Sequence, residues 1–567
     1  MKKKFTFVNQ NYEMLNKEQK PIGFTYSSEN IEVKPRTQKM YRYTVIIIAF
    51  LALLVAAFFY IESMKHSERG KGLESMGAPT ADTGKQADEQ LRQPGMPADF
   101  KPEVLPEGTA ASYTFDLIVP QENKYEVRSS IDVTNTSEKA WSQISFYFFP
   151  NQLGDMARDQ CRGKVLTWVV DKCLNEIGTS NMELIGTKVN GQATDYEVEG
   201  PWLNVPLRAI LPVGANATVE ISYSFSLPNP INGERGHDLL QWHPMLPDYT
   251  YDWIIQPPAY GKETYSAAPA NYHFRYKTPG NLMAVTSATD LDQSSGQGEL
   301  KENSLKEMHV LLLDGYQMVK TMAGPTEVRV FAQEREIEGR GKNVLGTAVE
   351  AVGFFSARLG ESPHKQIDIV LTEERKGSYP GIVLQPAVIH GEDKFYMPIE
   401  ESQDHLLVHQ LAQQWFYGKV HFDRYKDAWL NDGLSELAAS LFFFAGQKKS
   451  EEESFAFANA YDDFYIMRTD VKSNLPADKY IGIQGGLVGH VQAKPVLHLW
   501  KMMKPYGTET ALDFLSDYLS AYSAKKLATI EFIRFTKAYF KVDNQSFAEW
   551  LDFNPYENGD FIDFFSL

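Results

Sequence analysis

The sequence predicts a multidomain α+β protein carried behind one membrane-spanning helix. Three observations predict it: an uncharged apolar run near the amino terminus, a long middle stretch of strand-like alternation, and a final part in which the apolar spacing becomes helical. The 567 residues are enough for about three or four domains of roughly 150 residues each. A hydrophobic share of 43% supports real cores and excludes a disordered chain. With a net charge of -17 and a pI near 5.3, the chain lacks the clustered positive charge that a nucleic-acid surface needs. No phosphate-cradling glycine loop is evident either, so no nucleic-acid partner is expected.

Residues 1–42 form a short basic arm, with nine Lys or Arg against four Glu. Tyr43 to Ile61, YTVIIIAFLALLVAAFFYI, follows as nineteen uncharged residues, about the length a helix needs to cross the hydrocarbon core. The run is apolar on every face, which sets it apart from a core helix. Phe58-Phe59-Tyr60 is a poor cleavage site for a signal peptide, so an uncleaved anchor is expected. Only Lys65, Arg69 and Lys71 follow the span closely, and the positive-inside rule then puts the amino terminus in the cytoplasm. The expected location is the cell membrane, single-pass, with the large carboxy-terminal part extracytoplasmic.

Residues 62–109 are poor in large apolar side chains and rich in Gly, Pro, Ala and charge, which reads as a flexible tether. The only cysteines, Cys161 and Cys173, are separated by eleven residues. In an oxidising exterior they are placed to close a disulfide loop, the alternative being two free buried thiols. Residues 110–330 alternate in the manner of half-buried strands, as in Thr218-Val219-Glu220-Ile221-Ser222-Tyr223, and read as an all-β domain. Within it, His243 of Trp242-His243-Pro244 reads as a packed or capping residue. Residues 331–567 open with helical spacing from Val344 to Leu359, stopped by Gly360, and continue with a strand over Gln366 to Leu371. Further amphipathic helices are expected over 511–522 and 529–540.

The chemistry is concentrated between Asp404 and Glu436. His409 and Gln413 stand four apart on one expected helix and so share a face, and Asp432 follows Gln413 after eighteen residues. Taken alone, a helical His with a Gln one turn later is an ordinary core pattern. The surrounding text is more specific. HQLAQQWF, from His409, and WLNDGLSEL, from Trp429, resemble H-E-L-A-H-Q-W-F and W-L-N-E-G-F-A-E of the membrane alanyl aminopeptidases. That family of gluzincin metallopeptidases also includes leukotriene A hydrolase.

The resemblance implies an all-β, saddle-like amino-terminal domain followed by a thermolysin-like, mostly helical domain. It places His409 as the first zinc ligand, Gln413 at the second His, Asp432 at the third, acidic ligand, and Gln410 at the general base. Two more segments match. Arg375-Lys376-Gly377-Ser378-Tyr379-Pro380-Gly381 resembles the G-G-M-E-Y-P-G loop that holds a substrate's amino group, with Ser378 replacing the Glu and Tyr379 and Gly381 retained. Gln492-Ala493-Lys494 resembles Y-x-K, with Gln492 replacing the Tyr that stabilises the oxyanion. Phe547 to Leu551 resembles the family's closing helix, and the long helical carboxy-terminal domain of larger relatives is expected to be absent.

The substitutions have direct chemical consequences. An amide oxygen is a weak zinc ligand that cannot ionise, and Gln410 cannot take a proton from a metal-bound water. Zinc is therefore expected to be absent or weakly held, and the protein to be a catalytically impaired pseudoenzyme whose cleft binds a peptide, an envelope component or a membrane-protein partner. Two other readings remain open at this level. One is a working zinc metallopeptidase with a site shifted by one helical turn to His405, His409 and Asp432. The other is a structural subunit of a membrane complex that acts through its span and basic arm. Glu436, one turn after Asp432, is expected to support the neighbouring helix rather than to act as a base.

Overall fold

The computed structural model describes residues 94–121, 123–153, 181–227, 236–250, 252–254, 256, 265–290, 296–373, 375–387, 399–462, 469–481, 483 and 485–553. The basic arm, the apolar run from Tyr43 to Ile61, most of the expected tether, and Cys161 and Cys173 lie outside them. Among the described residues no helix is long and apolar enough to cross a membrane.

Period-two alternation builds the first half. In Thr109–Gln121, Tyr113, Phe115, Leu117 and Val119 are buried while Ser112 is exposed. This strand runs antiparallel to Lys124–Asn135, with Asn123 at φ 55 in the turn, and parallel to Ala270–Lys277. The full sheet has seven strands in the order Gln297–Leu305, Ala270–Lys277, Thr109–Gln121, Lys124–Asn135, Asn216–Phe225, Met182–Val189, Gln192–Thr194. Its buried face shares one core with Trp141, Phe146, Leu203 and Val205 of a smaller sheet. His243 is packed there among Tyr113, Phe115, Trp242 and Tyr272, and burial pushes its pKa down to about 4.

The second half is organised on a five-stranded mixed sheet, ordered Tyr316–Ala323, Thr326–Gln333, Gln366–Thr372, Ile382–Pro386, Gly377–Tyr379. Val328, Val330, Ile367, Ile369 and Val383 point to the helical core, and Phe331, Val370, Ile382 and Leu384 point to Val285, Leu311 and Leu313 of the β half. The boundary therefore falls before Tyr316 and not at residue 330, because the hairpin Tyr316–Gln333 pairs with Gln366–Thr372. Alternation marks a strand but not the sheet it joins, which is why the sequence assigned that hairpin to the wrong half.

A second difference concerns the tether. Its last part, from residue 94, is laid against the helices near the carboxy-terminal end of the described chain. Gly95 N–H donates to Tyr539 O at 3.1 Å, Phe100 meets Phe535 edge-on at 5.7 Å under the guanidinium of Arg534, and Leu105 N–H donates to Lys526 O at 2.8 Å. A segment of low apolar content is ordered here by backbone hydrogen bonds to an existing surface, a contribution that composition does not report. The expected closing helix is a single turn, Gln545–Ala548, with Trp550 packed between Trp429 and His498.

Three helices position the site. Ile399–Lys419 is buried on most sides by Leu407, Val408, Leu411, Ala412, Trp415 and Phe416. Every residue of Trp429–Leu441 is buried. At Gly433 a Cβ would stand 2.8 Å from Pro495 Cβ, so glycine is what lets Lys494–Met503 approach this helix.

Candidate functional site

The two central helices meet along rows of side chains one turn apart. His405, His409 and Gln413 form one row, Asp432 and Glu436 the other, and the rows run in opposite directions. His405 Nε2 lies 2.7 Å from Glu436 Oε1, His409 Nδ1 lies 3.0 Å from Glu436 Oε2, and Gln413 Nε2 donates to Asp432 Oδ1 at 3.1 Å. Gln492, brought in by the wide π-type turn Val488–Ala493, donates to Glu436 Oε2 at 2.8 Å. Burial pushes the pKa of the Glu436 carboxyl up, but His405 and His409 outweigh it and hold the group far below the usual range. Glu436 is thus the hub of the cluster.

These helices form the floor of a cavity of about 190 Å³. Lys376, Gly377 and Ser378 form part of its rim, Phe422, Phe457 and Leu487 give it apolar walls, and His409, Gln410, Gln413, Asp432 and Gln492 line it. Gln414 fastens the rim to the helix: its Nε2 donates to Ser378 Oγ at 2.8 Å and Tyr379 O at 3.0 Å, and its Oε1 accepts from Gly381 N–H at 2.9 Å.

The structure brings His409, Gln413 and Asp432 together, yet it joins them by hydrogen bonds. Gln413 Nε2 is 3.2 Å from His409 Nε2 and turns its amino group, not its oxygen, toward both neighbours. Asn431 Nδ2 also donates to Asp432 Oδ1, at 3.0 Å. The set holds one imidazole, one short carboxylate and one amide, and zinc sites are built from imidazole, thiolate and carboxylate. These residues do not fit zinc. The shifted set is not assembled either: His405 turns to Glu436, with its ring stacked against Phe443 and Phe457, and does not join Asp432. Among the described residues no group of three His, Cys, Asp or Glu is arranged to hold a metal ion.

The remaining positions follow the same pattern. Gln410 Nε2 donates to Leu384 O at 3.4 Å, while its buried Oε1 has no hydrogen-bond partner among the described residues. Ser378 Oγ donates to Gln410 O at 3.1 Å, so the position that the resemblance gives to an amine-holding carboxylate has a neutral hydroxyl engaged with backbone. Gln492 is spent on Glu436 and offers no hydroxyl to an oxyanion. Tyr379 and Gly381 do not line the cavity. Tyr379 is a core residue stacked on His309 at 3.7 Å, and Gly381, at φ 72, serves the turn between two strands. Lys494, which anchored the alignment of Gln492, is buried with Nζ donating to Thr469 O and Val471 O, and burial pushes its pKa down to about 8.

Sequence reasoning gave Glu436 a supporting part and overlooked Gln414, Lys376 and Arg424. For Glu436 the signal was present. It stands one turn after Asp432 just as His409 stands one turn after His405, so two matched rows were legible once the helices were taken as neighbours. Lys376 and Arg424 carry no spacing signal, because they reach the cavity from two separate loops.

No family model matches the chain, and no curated protein is significantly similar to it in sequence. Solved structures match it in fold. The M1 zinc metallopeptidase from Deinococcus radiodurans is 15% identical and matches 79% of this chain and 94% of its own with a TM-score of 0.53. A glutamate-to-alanine variant of the M1 zinc metallopeptidase from Deinococcus radiodurans, bound to a Tyr-Ser-Ala substrate, gives 14%, 79%, 95% and 0.53. A two-domain M1 zinc metallopeptidase variant bound to L-arginine gives 15%, 80%, 96% and 0.53. The structural neighbours are thus M1 zinc metallopeptidases at low sequence identity, and the chain has their fold: a large β-sheet part joined to a helical part that carries the cleft.

Proposed function

We propose that this chain is a membrane-anchored protein of M1 metallopeptidase fold whose extracytoplasmic cleft binds a peptide or a partner's peptide segment without zinc-dependent hydrolysis. One observation carries the reading: the Gln413 amide spans His409 and Asp432, filling the space between the ligand positions with a hydrogen-bonded, neutral group. A neutral amide at Gln410 adds to this, since the position that the resemblance gives to the general base then has no carboxylate to accept a proton from an attacking water. The anchor rests on the nineteen-residue apolar run and the basic arm before it.

What the cleft retains is suited to binding. It has apolar walls, amide side chains able to donate to and accept from a peptide backbone, and a rim fixed by Gln414. The test is metal analysis of the purified full-length chain with an aminopeptidase assay on aminoacyl substrates. The expected result is far less than one equivalent of zinc and no turnover that a chelator abolishes. Stoichiometric zinc with chelator-sensitive turnover overturns the proposal.

A further inference from the structure

The described chain stops at Phe553, and its last residues are fastened to the stretch that forms one wall of the cavity. Asp552 is tied to Asn474 twice: its N–H donates to Asn474 Oδ1 and its O accepts from Asn474 Nδ2, both at 2.7 Å. Lys472 Nζ donates to Ala548 O at 2.7 Å and to Glu549 O at 3.2 Å, and Phe553 packs against the helical core. From Asn474 the chain runs directly into the cavity wall. Ala477, three residues on, lines the cavity, as do Leu487 and Val488. Three residues span at most about 10 Å, so the end of the described chain lies within easy reach of the cavity. Between Ala477 and Leu487 in sequence stands Ile481, 65% exposed, and among the described residues after Ala323 no other large apolar side chain is left so open.

Residues 554–567 read NPYENGDFIDFFSL, and five of the last seven, Phe561, Ile562, Phe564, Phe565 and Leu567, are large and apolar. So dense an apolar run is unfavourable in water and calls for a cover. The cavity supplies one, with Phe422, Phe457 and Leu487 as walls around about 190 Å³. An apolar cavity of about 150 Å³ holds one benzene ring, so this one has room for a single aromatic side chain. The seven residues from Asn554 to Asp560 reach up to about 23 Å, twice the span from Asn474 to Ala477.

On the reading that the cleft binds peptide without hydrolysis, we propose that its resident ligand is the chain's own segment from Asp560 to Leu567, with one phenyl ring of that segment in the cavity. A tethered segment competes at an effective concentration in the millimolar range, so it fills even a weak site. A partner's peptide enters the cleft only by displacing it.

Two measurements on the purified full-length chain test this. In the first, Phe564 is replaced by the photo-crosslinker p-azidophenylalanine, and the linked fragments are identified by mass spectrometry. Links within one chain to Phe422, Phe457, Leu487 or Val488 are expected. Links between two chains, to detergent or lipid, to another surface of the same chain, or none at all, overturn the inference. In the second, a fluorescent peptide of sequence DFIDFFSL is titrated, with chelator present, against the parent and against the double variant Phe564→Asp/Phe565→Asp. The variant is expected to bind the peptide at least about tenfold tighter, because the tethered competitor is gone. Adding Leu487→Asp, at a half-buried wall position, is expected to abolish that binding with the melting temperature unchanged. Equal affinity for parent and double variant, no binding to the double variant, or binding that ignores Leu487→Asp overturns the inference. Zinc-dependent turnover is a separate outcome that strikes the proposed function itself.

Discussion

Gln413 Nε2 donates to Asp432 Oδ1 at 3.1 Å while standing 3.2 Å from His409 Nε2. An imidazole at 413 would replace the amino group that closes this chain with a nitrogen that accepts a metal. Gln413→His is therefore expected to raise zinc affinity by on the order of 100-fold, the scale on which changes around a metal site act. Metal analysis after dialysis checks this. Hydrolysis is not expected to follow, because Gln410 still cannot accept a proton. Aminopeptidase turnover by the single variant would contradict the role given to Gln410.

Glu436 lies at ion-pair distance from His405 and His409, 2.7 and 3.0 Å, and accepts a hydrogen bond from Gln492, at a position with no solvent exposure. Removing one partner of a buried charged network leaves the others unpaired, at a cost of roughly 3–5 kcal/mol. Glu436→Ala is expected to lose about that much in denaturant unfolding and Glu436→Gln less, since an amide keeps part of the hydrogen bonding. The Glu436 carboxyl is held below its ordinary pKa, so its contribution is complete above that value and is lost as the pH falls below it. An acid limb of the stability profile that persists unchanged in Glu436→Gln would count against the hub.

Asp427 gives the opposite sign. It accepts from Thr529 Oγ1 at 2.6 Å, and Thr529 Oγ1 accepts from Trp429 Nε1 at 2.8 Å, which ties the start of the Asp432 helix to the helix at 529–540. Burial pushes the Asp427 carboxyl up to about 7. The folded state then binds the proton more tightly than the unfolded chain, so this group's stabilisation is fully present near pH 4 and is lost as the pH rises through about 7. Melting temperatures between pH 4 and 8 are expected to show a decline that Asp427→Asn flattens. A steeper decline in the variant would show the assignment to be wrong.

Gly433 is a test of helix approach. A methyl at this place would meet Pro495 Cβ at 2.8 Å and Val491 O at 3.2 Å, and none of these atoms is the end of a flexible side chain. Gly433→Ala is expected to cost about 1–3 kcal/mol through overpacking, outweighing the gain in helix propensity of roughly 1 kcal/mol. Because the turn that carries Gln492 must move, peptide binding should weaken with it. Stability equal to or above that of the parent would mean that the helices are not held this close.

Much of this molecule was legible as text. The fold of the second half followed from His409-to-Phe416 and Trp429-to-Leu437, and the alternation around Phe115, Ile131 and Tyr223 marked the strands of the first. The neutral side chains of Gln410, Gln413, Ser378 and Gln492 were visible because residue identity at a given spacing does not depend on knowing the neighbours. The strands of Tyr316–Gln333 and the packed end of the tether were not legible in their true places, since both are fixed by backbone partners far along the chain.

The sequence by itself determined the order of the halves and the types of atom that each motif position carries, because periodicity and residue identity are local properties. Only the tertiary structure decided that Glu436 gathers His405 and His409, that Tyr379 belongs to the core, and that Lys376 and Arg424 face one cavity. Each depends on which helix or loop lies opposite, and that is settled by burying apolar surface over the whole fold.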